Sequence, residues 1–129
     1  MDLDTLLNKN QKEAATYLDS HLRIIAGAGS GKTRVVTYRI AHLIQDVGID
    51  PRSILAITFT NKAANEMKER VNEVVGIHGS GTLICTIHSL CVRFLRQHIN
   101  VLNYPSNFTI MDEEDQKALI KKLYTQLEI

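Results

Sequence analysis

Tryptophan is absent from this sequence, proline and cysteine each occur twice, and aromatic residues make up only 5% of the 129 positions. The scarcity of cysteine excludes a small secreted domain held together by several disulfides. No apolar run is long enough to span a membrane, and a formal net charge of +1 creates no overall field that would attract a polyanion or a membrane surface. What is present, 44% hydrophobic and 22% charged residues, is typical of one soluble globular domain.

Two local features predict the cellular compartment. The first four residues, Met1–Asp4, lack the basic flank of a signal peptide. Cys85 and Cys91 show no regular pairing pattern, which is typical of a reducing compartment. We therefore expect a cytoplasmic protein with no membrane partner.

Apolar patterning alternates between helix and strand periods, as in a parallel sheet with helical crossovers. Helices are predicted at about 9–18, 31–46, 61–75 and 113–127 and from residue 87 onward, and strands at 22–26, 54–59 and 82–86. The near-continuous apolar run of the second strand predicts that both of its faces are covered. The helix after the third strand is expected to bury a stripe formed by Ile87, Leu90, Cys91, Phe94 and Leu95. The pattern as a whole predicts an α/β fold.

A glycine-rich run between the first predicted strand and the next helix predicts a phosphate-binding loop. Glycines allow backbone conformations in which successive N–H groups turn toward an anion, and the helix points its positive end at the same place. Lys32 would reach the β- and γ-phosphates of a nucleoside triphosphate, and the Thr33 hydroxyl would complete the shell of a Mg²⁺ ion. The predicted loop consists of Ala26, Gly27, Ala28, Gly29, Ser30, Gly31, Lys32 and Thr33.

Polar donors and one aromatic side chain follow the second predicted strand, at the edge where open α/β sheets bind ligands. The segment consists of Thr58, Phe59, Thr60, Asn61 and Lys62. Its hydroxyl, amide and ammonium groups can hold phosphates, and its ring can stack on a base, so the segment suits single-stranded nucleic acid. Core packing is the alternative for Phe59, because it ends a buried strand.

Two further groups raise the question of a metal site. The acidic run 112–115 follows a short apolar stretch, so it could supply the metal-binding acid of a P-loop enzyme. Asp112 and Asp115 also suit a helix start, where carboxylates are favoured. Cys85, His88 and Cys91 lack the repeated close pairs of structural zinc sites, and the two cysteines are expected to be small core residues.

Four stretches, in this order, resemble the motifs of one family of motor enzymes. They are 8–14 (Asn-Lys-Asn-Gln-Lys-Glu-Ala), the loop 26–34, the segment 58–67 (Thr-Phe-Thr-Asn-Lys-Ala-Ala-Asn-Glu-Met) and 86–91 (Thr-Ile-His-Ser-Leu-Cys). Together they resemble the N-terminus of a UvrD/Rep/PcrA-type superfamily 1 DNA helicase over essentially the whole chain. Ile87 is a minor departure, since it stands where the family usually has phenylalanine, and Ala26 replaces the first glycine of the usual P-loop pattern.

The resemblance implies a fold and a domain arrangement. Residues 1–104 would form the N-terminal part of a P-loop NTPase (RecA-like) parallel sheet with flanking helices. Residues 105–129 would begin an inserted helical subdomain, because 108–116 is similar to the segment that opens it, and this makes 112–115 a helix start. The family's catalytic acidic motif would then lie beyond residue 129, so the chain is expected to be a fragment that does not hydrolyse ATP alone.

The resemblance also implies roles for single residues. Gln11 would contact the adenine of ATP, although Asn8 and Gln11 also fit a purely structural capping box. Arg34 would lie near the base or its sugar. Besides the segment 58–62, the residues that would contact DNA are Thr86, His88 and Ser89, for which capping of the following helix is the alternative.

The implied activity is that of an ATP-dependent DNA helicase that moves 3′ to 5′ along single-stranded DNA in repair or replication. Lys32 and Thr33 would be its catalytic residues, and ATP and Mg²⁺ its cofactors. Its partners would be single-stranded DNA, duplex junctions and the remaining helicase domains of the same polypeptide. A helicase–nuclease subunit, a small stand-alone P-loop NTPase or kinase, and a nucleotide-binding module without enzymatic activity stay open as alternatives.

Overall fold

The computed structural model describes residues 1–128, which fall into two compact units, Met1–Leu90 and the chain from Cys91 onward. One helix, Ile87–His98, begins in the first unit and ends in the second. No helix of the described residues combines the length and apolar character needed to cross a bilayer. The boundary predicted between residues 104 and 105 concerns the domains of the family and stays a prediction.

The first unit is built from helices and a two-stranded parallel sheet. In chain order its elements are α1 (Leu3–Leu6), α2 (Lys9–Thr16), α3 (Lys32–Gln45), β1 (Leu55–Thr58), α4 (Asn61–Val75), β2 (Leu83–Thr86) and the first turn of α5 (Ile87–His98). Short 3-10 helices at Pro51–Ser53 and Gly76–Gly79 precede the two strands. Helix α4 is the crossover between β1 and β2, so the predicted α/β arrangement is confirmed.

Helix α3 lies between two hydrophobic clusters and ties the unit together. On one side it contributes Ile40 and Ala41 to a cluster with α4 and β2. The buried members of that cluster from α4 and β2 are Ala64, Met67, Val71, Val75 and Ile84. On the other side, Val35 packs with the first two helices through Leu3, Leu7 and Ala15. The apolar residues of α4 recur three and four positions apart, so one face of that helix is buried.

The N-terminal part of the fold differs from the predicted elements in two ways. Helix α1 was not predicted, yet its Leu3 belongs to the core. Residues 22–26, predicted as the first strand, are not in a strand. The reason is that a strand needs a neighbour to complete its backbone hydrogen bonds, and no segment of residues 1–128 pairs with these residues.

Burial of the sheet and of α5 was predicted wrongly. Leu55 and Ile57 are 49% and 47% exposed, because the helices of this unit cover only the opposite face of the strands. In α5 the predicted stripe is only partly covered: Leu90 and Leu95 are half-buried, whereas Ile87 is 47% and Phe94 61% exposed, and no residue of this helix is fully buried. Cys85 is half-buried and Cys91 exposed, so Cys91 is not the core residue that was expected.

The second unit contains the end of α5, a 3-10 helix at Ile99–Leu102 and helix α6 (Glu113–Leu127). Arg96 of α5 contacts the segment that precedes α6. Its guanidinium donates to the Ser106 carbonyl at 2.6 Å and lies 4.1 Å from the ring centre of Phe108. Helix α6 begins with a capping box between Asp112 and Asp115, so the predicted helix start is confirmed.

Candidate nucleotide and DNA site

The glycine-rich loop leads directly into α3. Gly29 and Gly31 adopt left-handed conformations, with φ of +74° and +81°, which residues with a Cβ rarely adopt. Gly31 is the N-cap of α3, and no side chain of the described residues caps this helix. The backbone N–H groups of its first turn therefore face outward without an intrahelical partner, at the positive end of the helix dipole.

The side chain of Lys32 folds back over the loop. Its Nζ donates to the carbonyls of Ala26 at 2.9 Å and Gly27 at 2.7 Å. The Gly27 carbonyl also accepts from the Ser30 hydroxyl at 2.7 Å and from the Ser30 N–H at 3.4 Å. The ammonium group thus stands above the loop, and an anionic phosphate oxygen would be a stronger acceptor for it than these neutral carbonyls. Thr33 is exposed in the first turn of α3.

Gln11 contacts the loop as well as its own helix. The capping box with Asn8 is present: the Gln11 N–H donates to Asn8 Oδ1 at 2.9 Å, and Gln11 Oε1 accepts from the Asn8 N–H at 3.1 Å. In addition, Gln11 Nε2 donates to the Ser30 carbonyl at 3.0 Å. A cavity of about 250 Å³ opens beside these groups, and its lining includes Gln11, Ala26, Ser30 and Lys32.

Arg34 is held by α1 and by its own helix. Its Nε and a terminal nitrogen donate to the Leu6 carbonyl at 3.1 and 2.9 Å, and its guanidinium lies 5.4 Å from the ring centre of Tyr38. Arg34, Tyr38 and Arg70 line a second cavity of about 370 Å³ between α3 and α4. The expected contact of Arg34 with a base or sugar stays a prediction, since the described contacts of this side chain are with protein.

Arg39 is a structural anchor that sequence reasoning missed. It donates to the carbonyls of Ala14 at 3.1 Å and Ala15 at 3.5 Å, in the last turn of α2, and to the carbonyl of its C-cap, Tyr17, at 2.6 Å. A cation at this place satisfies carbonyls that lack an intrahelical partner and complements the negative end of the helix. Both ends of α2 are therefore tied to the loop–α3 element. The only signal in the sequence is an arginine in the same helical turn as apolar core positions.

The two segments expected to contact DNA begin at neighbouring points of the sheet. Thr58 and Thr86 are register partners in the parallel ladder, so the segments that follow them leave the sheet at the same edge. The first of these segments carries Phe59, whose side chain is 99% exposed. Core packing, the alternative explanation for this ring, is therefore wrong for the described residues. Lys62 and His88 are also exposed.

Two hydroxyls of these segments, those of Thr60 and Thr86, serve as helix caps. The Thr60 Oγ1 accepts from the Ala63 N–H at 3.1 Å and caps α4. The buried Thr86 accepts from the Ser89 N–H at 3.2 Å and donates to the Ser89 hydroxyl at 2.9 Å. Thr58 donates to the Thr60 carbonyl at 3.0 Å. These contacts give the threonines a structural role, whatever else they bind.

Metal-ligating side chains do not converge in the described part of the chain. No group of three or more His, Cys, Asp and Glu side chains within residues 1–128 could hold a metal ion. Asp112 Oδ1 accepts from the Asp115 N–H at 2.8 Å, and an Asp115 carboxylate oxygen accepts from the Asp112 N–H at 3.3 Å. These carboxylates therefore form the capping box of α6, the helix that they begin.

A glycine-rich loop that precedes a helix, with a lysine at N1 and a threonine at N2, in a parallel α/β unit, defines a P-loop protein. Comparison with known families narrows this class: residues 7–129 match the UvrD/REP helicase N-terminal domain, and the chain belongs to that family. The resemblance inferred from the sequence motifs is thereby confirmed.

Individual relatives agree with the family assignment. The chain is 50% identical over 115 residues to the "ATP-dependent DNA helicase PcrA" of Staphylococcus aureus (strain Mu50 / ATCC 700699). It is equally similar to the protein of the same name from Staphylococcus epidermidis (strain ATCC 12228 / FDA PCI 1200). These matches cover 89% of this chain but only 16% of each relative. The chain therefore spans about a sixth of the length of these proteins.

Proposed function

We propose that the protein containing this chain is an ATP-dependent DNA helicase that moves 3′ to 5′ along single-stranded DNA. The observation that supports this most is the loop 26–33 with Lys32 folded over it, in a chain 50% identical to helicases of the PcrA type. The chain would supply half of the nucleotide site and part of the DNA path. Remaining domains of the same polypeptide would supply the hydrolytic acid and the second half of the motor, and we place the protein in the cytoplasm.

The residues present suit a magnesium-bound nucleoside triphosphate. Two left-handed glycines and the uncapped start of α3 offer backbone N–H donors to a phosphate chain. Lys32 would exchange the carbonyls of Ala26 and Gly27 for phosphate oxygens, which strengthens its hydrogen bonds because the new acceptors are charged. The exposed Thr33 hydroxyl is the candidate ligand for Mg²⁺, which would neutralise charge on the transferred phosphoryl group. Gln11 and Arg34 would contact the nucleoside.

The exposed edge of the sheet suits single-stranded DNA. Phe59 offers a ring to a base, and Asn61 and Lys62 offer an amide and an ammonium group to the backbone. His88 and Ser89 follow the neighbouring strand and would contact the same strand of DNA. Closing and opening of the motor around ATP would then move this edge along the strand.

Lys32→Ala tests the nucleotide site in the full-length protein. Removing the ammonium group deletes the positive charge that stabilises the transferred phosphoryl group, so we expect kcat for ATP hydrolysis to fall by about a hundredfold or more. Lys68→Ala is the matched control, because Lys68 is exposed on α4 outside the loop. Retained hydrolysis in Lys32→Ala would contradict the proposed role of the loop.

DNA-dependent measurements on the full-length protein test the motor. We expect single-stranded DNA to stimulate ATP turnover and a duplex with a 3′ tail to be unwound, while a duplex with a 5′ tail is not. A rate of ATP hydrolysis that is the same with and without DNA would favour a stand-alone NTPase or kinase. Nucleotide binding without any turnover would favour a docking module.

A further inference from the structure

We propose that Gln11 has a second task besides adenine recognition: it positions the phosphate-binding loop itself. Affinity for a phosphate chain then depends on Gln11 even when no base is present. The inference rests on the proposed nucleotide site and deepens it. It is carried by the contacts of one amide group with two different parts of the chain.

The two ends of the Gln11 amide are fixed in different places. Oε1 accepts from the Asn8 N–H at 3.1 Å, and Nε2 donates to the Ser30 carbonyl at 3.0 Å. Because the amide is planar, the cap that fixes Oε1 also fixes the direction in which Nε2 points. Helix α2 therefore holds a carbonyl of the loop that lies 19 residues away in sequence.

The Ser30 carbonyl is the point where the loop needs such support. It lies between the left-handed Gly29 and Gly31, two positions at which no Cβ restricts rotation of the backbone. A trans peptide unit is planar, so turning the Ser30 carbonyl toward Gln11 turns the Gly31 N–H to the opposite side. The hydrogen bond thus sets the direction of a backbone donor at the start of α3, where an anion would be met.

Packing reinforces the same contact. A Cβ added to Gly31 would lie 2.8 Å from Gln11 Nε2, closer than carbon and nitrogen atoms can approach without displacement. The loop and the amide are therefore in direct contact along the backbone as well as through the hydrogen bond. Gln11 is half-buried in this arrangement.

The positioning task and adenine recognition are compatible. An amide oxygen has two lone pairs and an amide nitrogen two hydrogens. The Asn8 N–H uses one lone pair and the Ser30 carbonyl one hydrogen. One acceptor and one donor position remain on Gln11, which is what a two-bond contact with the edge of adenine requires.

The test is calorimetric titration of the full-length protein with Mg²⁺–tripolyphosphate, which has the phosphate chain of ATP but no base, and in parallel with Mg²⁺–ATP. For Gln11→Ala we expect tripolyphosphate affinity to fall about three- to tenfold, the effect of losing one hydrogen bond that orders a binding loop. ATP affinity should fall by at least as much, because the adenine contact is lost too.

Two variants separate positioning from mere helix stability. Asn8→Ala removes Asn8 Oδ1, which accepts from the Gln11 N–H, but leaves the backbone N–H of residue 8 that holds Gln11 Oε1 and the Gln11–Ser30 hydrogen bond. Glu13→Ala alters an exposed residue of the same helix. Both should keep tripolyphosphate affinity within about twofold of the unaltered protein. A comparable loss in Asn8→Ala would overturn the inference, because the effect would then come from the helix cap.

The remaining outcomes are also decisive. If Gln11→Ala weakens ATP binding but leaves tripolyphosphate binding unchanged, Gln11 recognises only the base, and the positioning task is refuted while the nucleotide site stands. If the unaltered protein binds neither ligand, the proposed function itself fails, and the inference fails with it.

Discussion

Thr58 and Thr86 are paired in register at the carboxyl ends of the two parallel strands. Each is followed at once by the segment that carries candidate DNA contacts, so these segments start side by side. Phe59, next to Thr58, is 99% exposed, whereas Thr86 is buried and caps α5. Both segments are anchored by a threonine that caps the following helix, Thr60 in the first and Thr86 in the second, but only the first adds an aromatic ring exposed to solvent.

Phe59→Ala should weaken binding of single-stranded DNA by the full-length protein. Loss of one stacking platform removes about 1–3 kcal/mol, a decrease in affinity of roughly 5- to 150-fold. Phe59→Trp should retain most of the affinity, because it keeps an aromatic face. The measurement is fluorescence anisotropy of a labelled oligonucleotide at fixed salt concentration.

The control for Phe59 is Ile77→Ala. Ile77 is also an exposed apolar residue, 84% accessible, but it lies in the 3-10 helix before β2, away from the strand ends that carry the candidate contacts. DNA affinity should not change in this variant. If Phe59→Ala binds single-stranded DNA with the same affinity as the unaltered protein, Phe59 does not stack on a base.

Thr86→Val should loosen the start of α5, because valine has the shape of threonine without the hydroxyl that accepts from the Ser89 N–H. A lost N-terminal cap costs about 1 kcal/mol, so hydrogen exchange at the Ser89 amide should accelerate about fivefold. Thr86→Ser retains the hydroxyl and should exchange like the unaltered protein. Identical exchange in Thr86→Val would show that the cap contributes nothing to the helix.

Arg39→Met should release the carboxyl end of α2 while preserving much of the packing of the aliphatic stem. The carbonyls of Ala14, Ala15 and Tyr17 lose their donor, so amides of α2 should exchange faster in the full-length protein. Because α2 carries Gln11, ATP affinity should also decrease by a small factor. Lys68→Met, which neutralises an exposed cation of α4, should alter neither quantity.

Gly31→Ala should weaken Mg²⁺–ATP binding for two reasons: a φ of +81° strains alanine, and its Cβ collides with Gln11 Nε2. In a Gln11→Ala background the collision disappears, so the two substitutions should be less than additive. Gly48→Ala is the control, since Gly48 has a φ of +80° but nothing within 4 Å of an added Cβ. Strict additivity would mean that Gln11 and the loop do not interact.

Local sequence signals predicted the bounds of α4 and the start of α6. Helix α4 begins at Asn61 and ends at Val75 as its apolar period indicates, with Thr60 as its cap. Helix α6 begins after Asp112, where carboxylates at a helix start predict it. Both results depend on short-range chemistry, namely side-chain periodicity and capping, which a window of a few residues contains.

Features that depend on distant partners could not be predicted in the same way. The strand expected at 22–26 does not form among the described residues because nothing there pairs with it. The exposure of Ile57 and Phe94 has the same origin, since apolar character does not reveal which faces receive a neighbour. In the site, the sequence indicated the loop and the capping box, but the bond from Gln11 to Ser30 joins residues that only the fold brings together.

Arg39 of α3 donates to three carbonyls at the carboxyl end of α2, before the stretch that connects α2 to the glycine-rich loop. Since the guanidinium anchors α2 directly to α3, the distance from Gln11 to Ser30 is not set by the intervening chain. We therefore expect that residues 18–21 can be lengthened or shortened without displacing Gln11. Insertions and deletions should be tolerated there. They should not be tolerated between residues 26 and 33, where each backbone position contributes to the shape of the phosphate-binding loop.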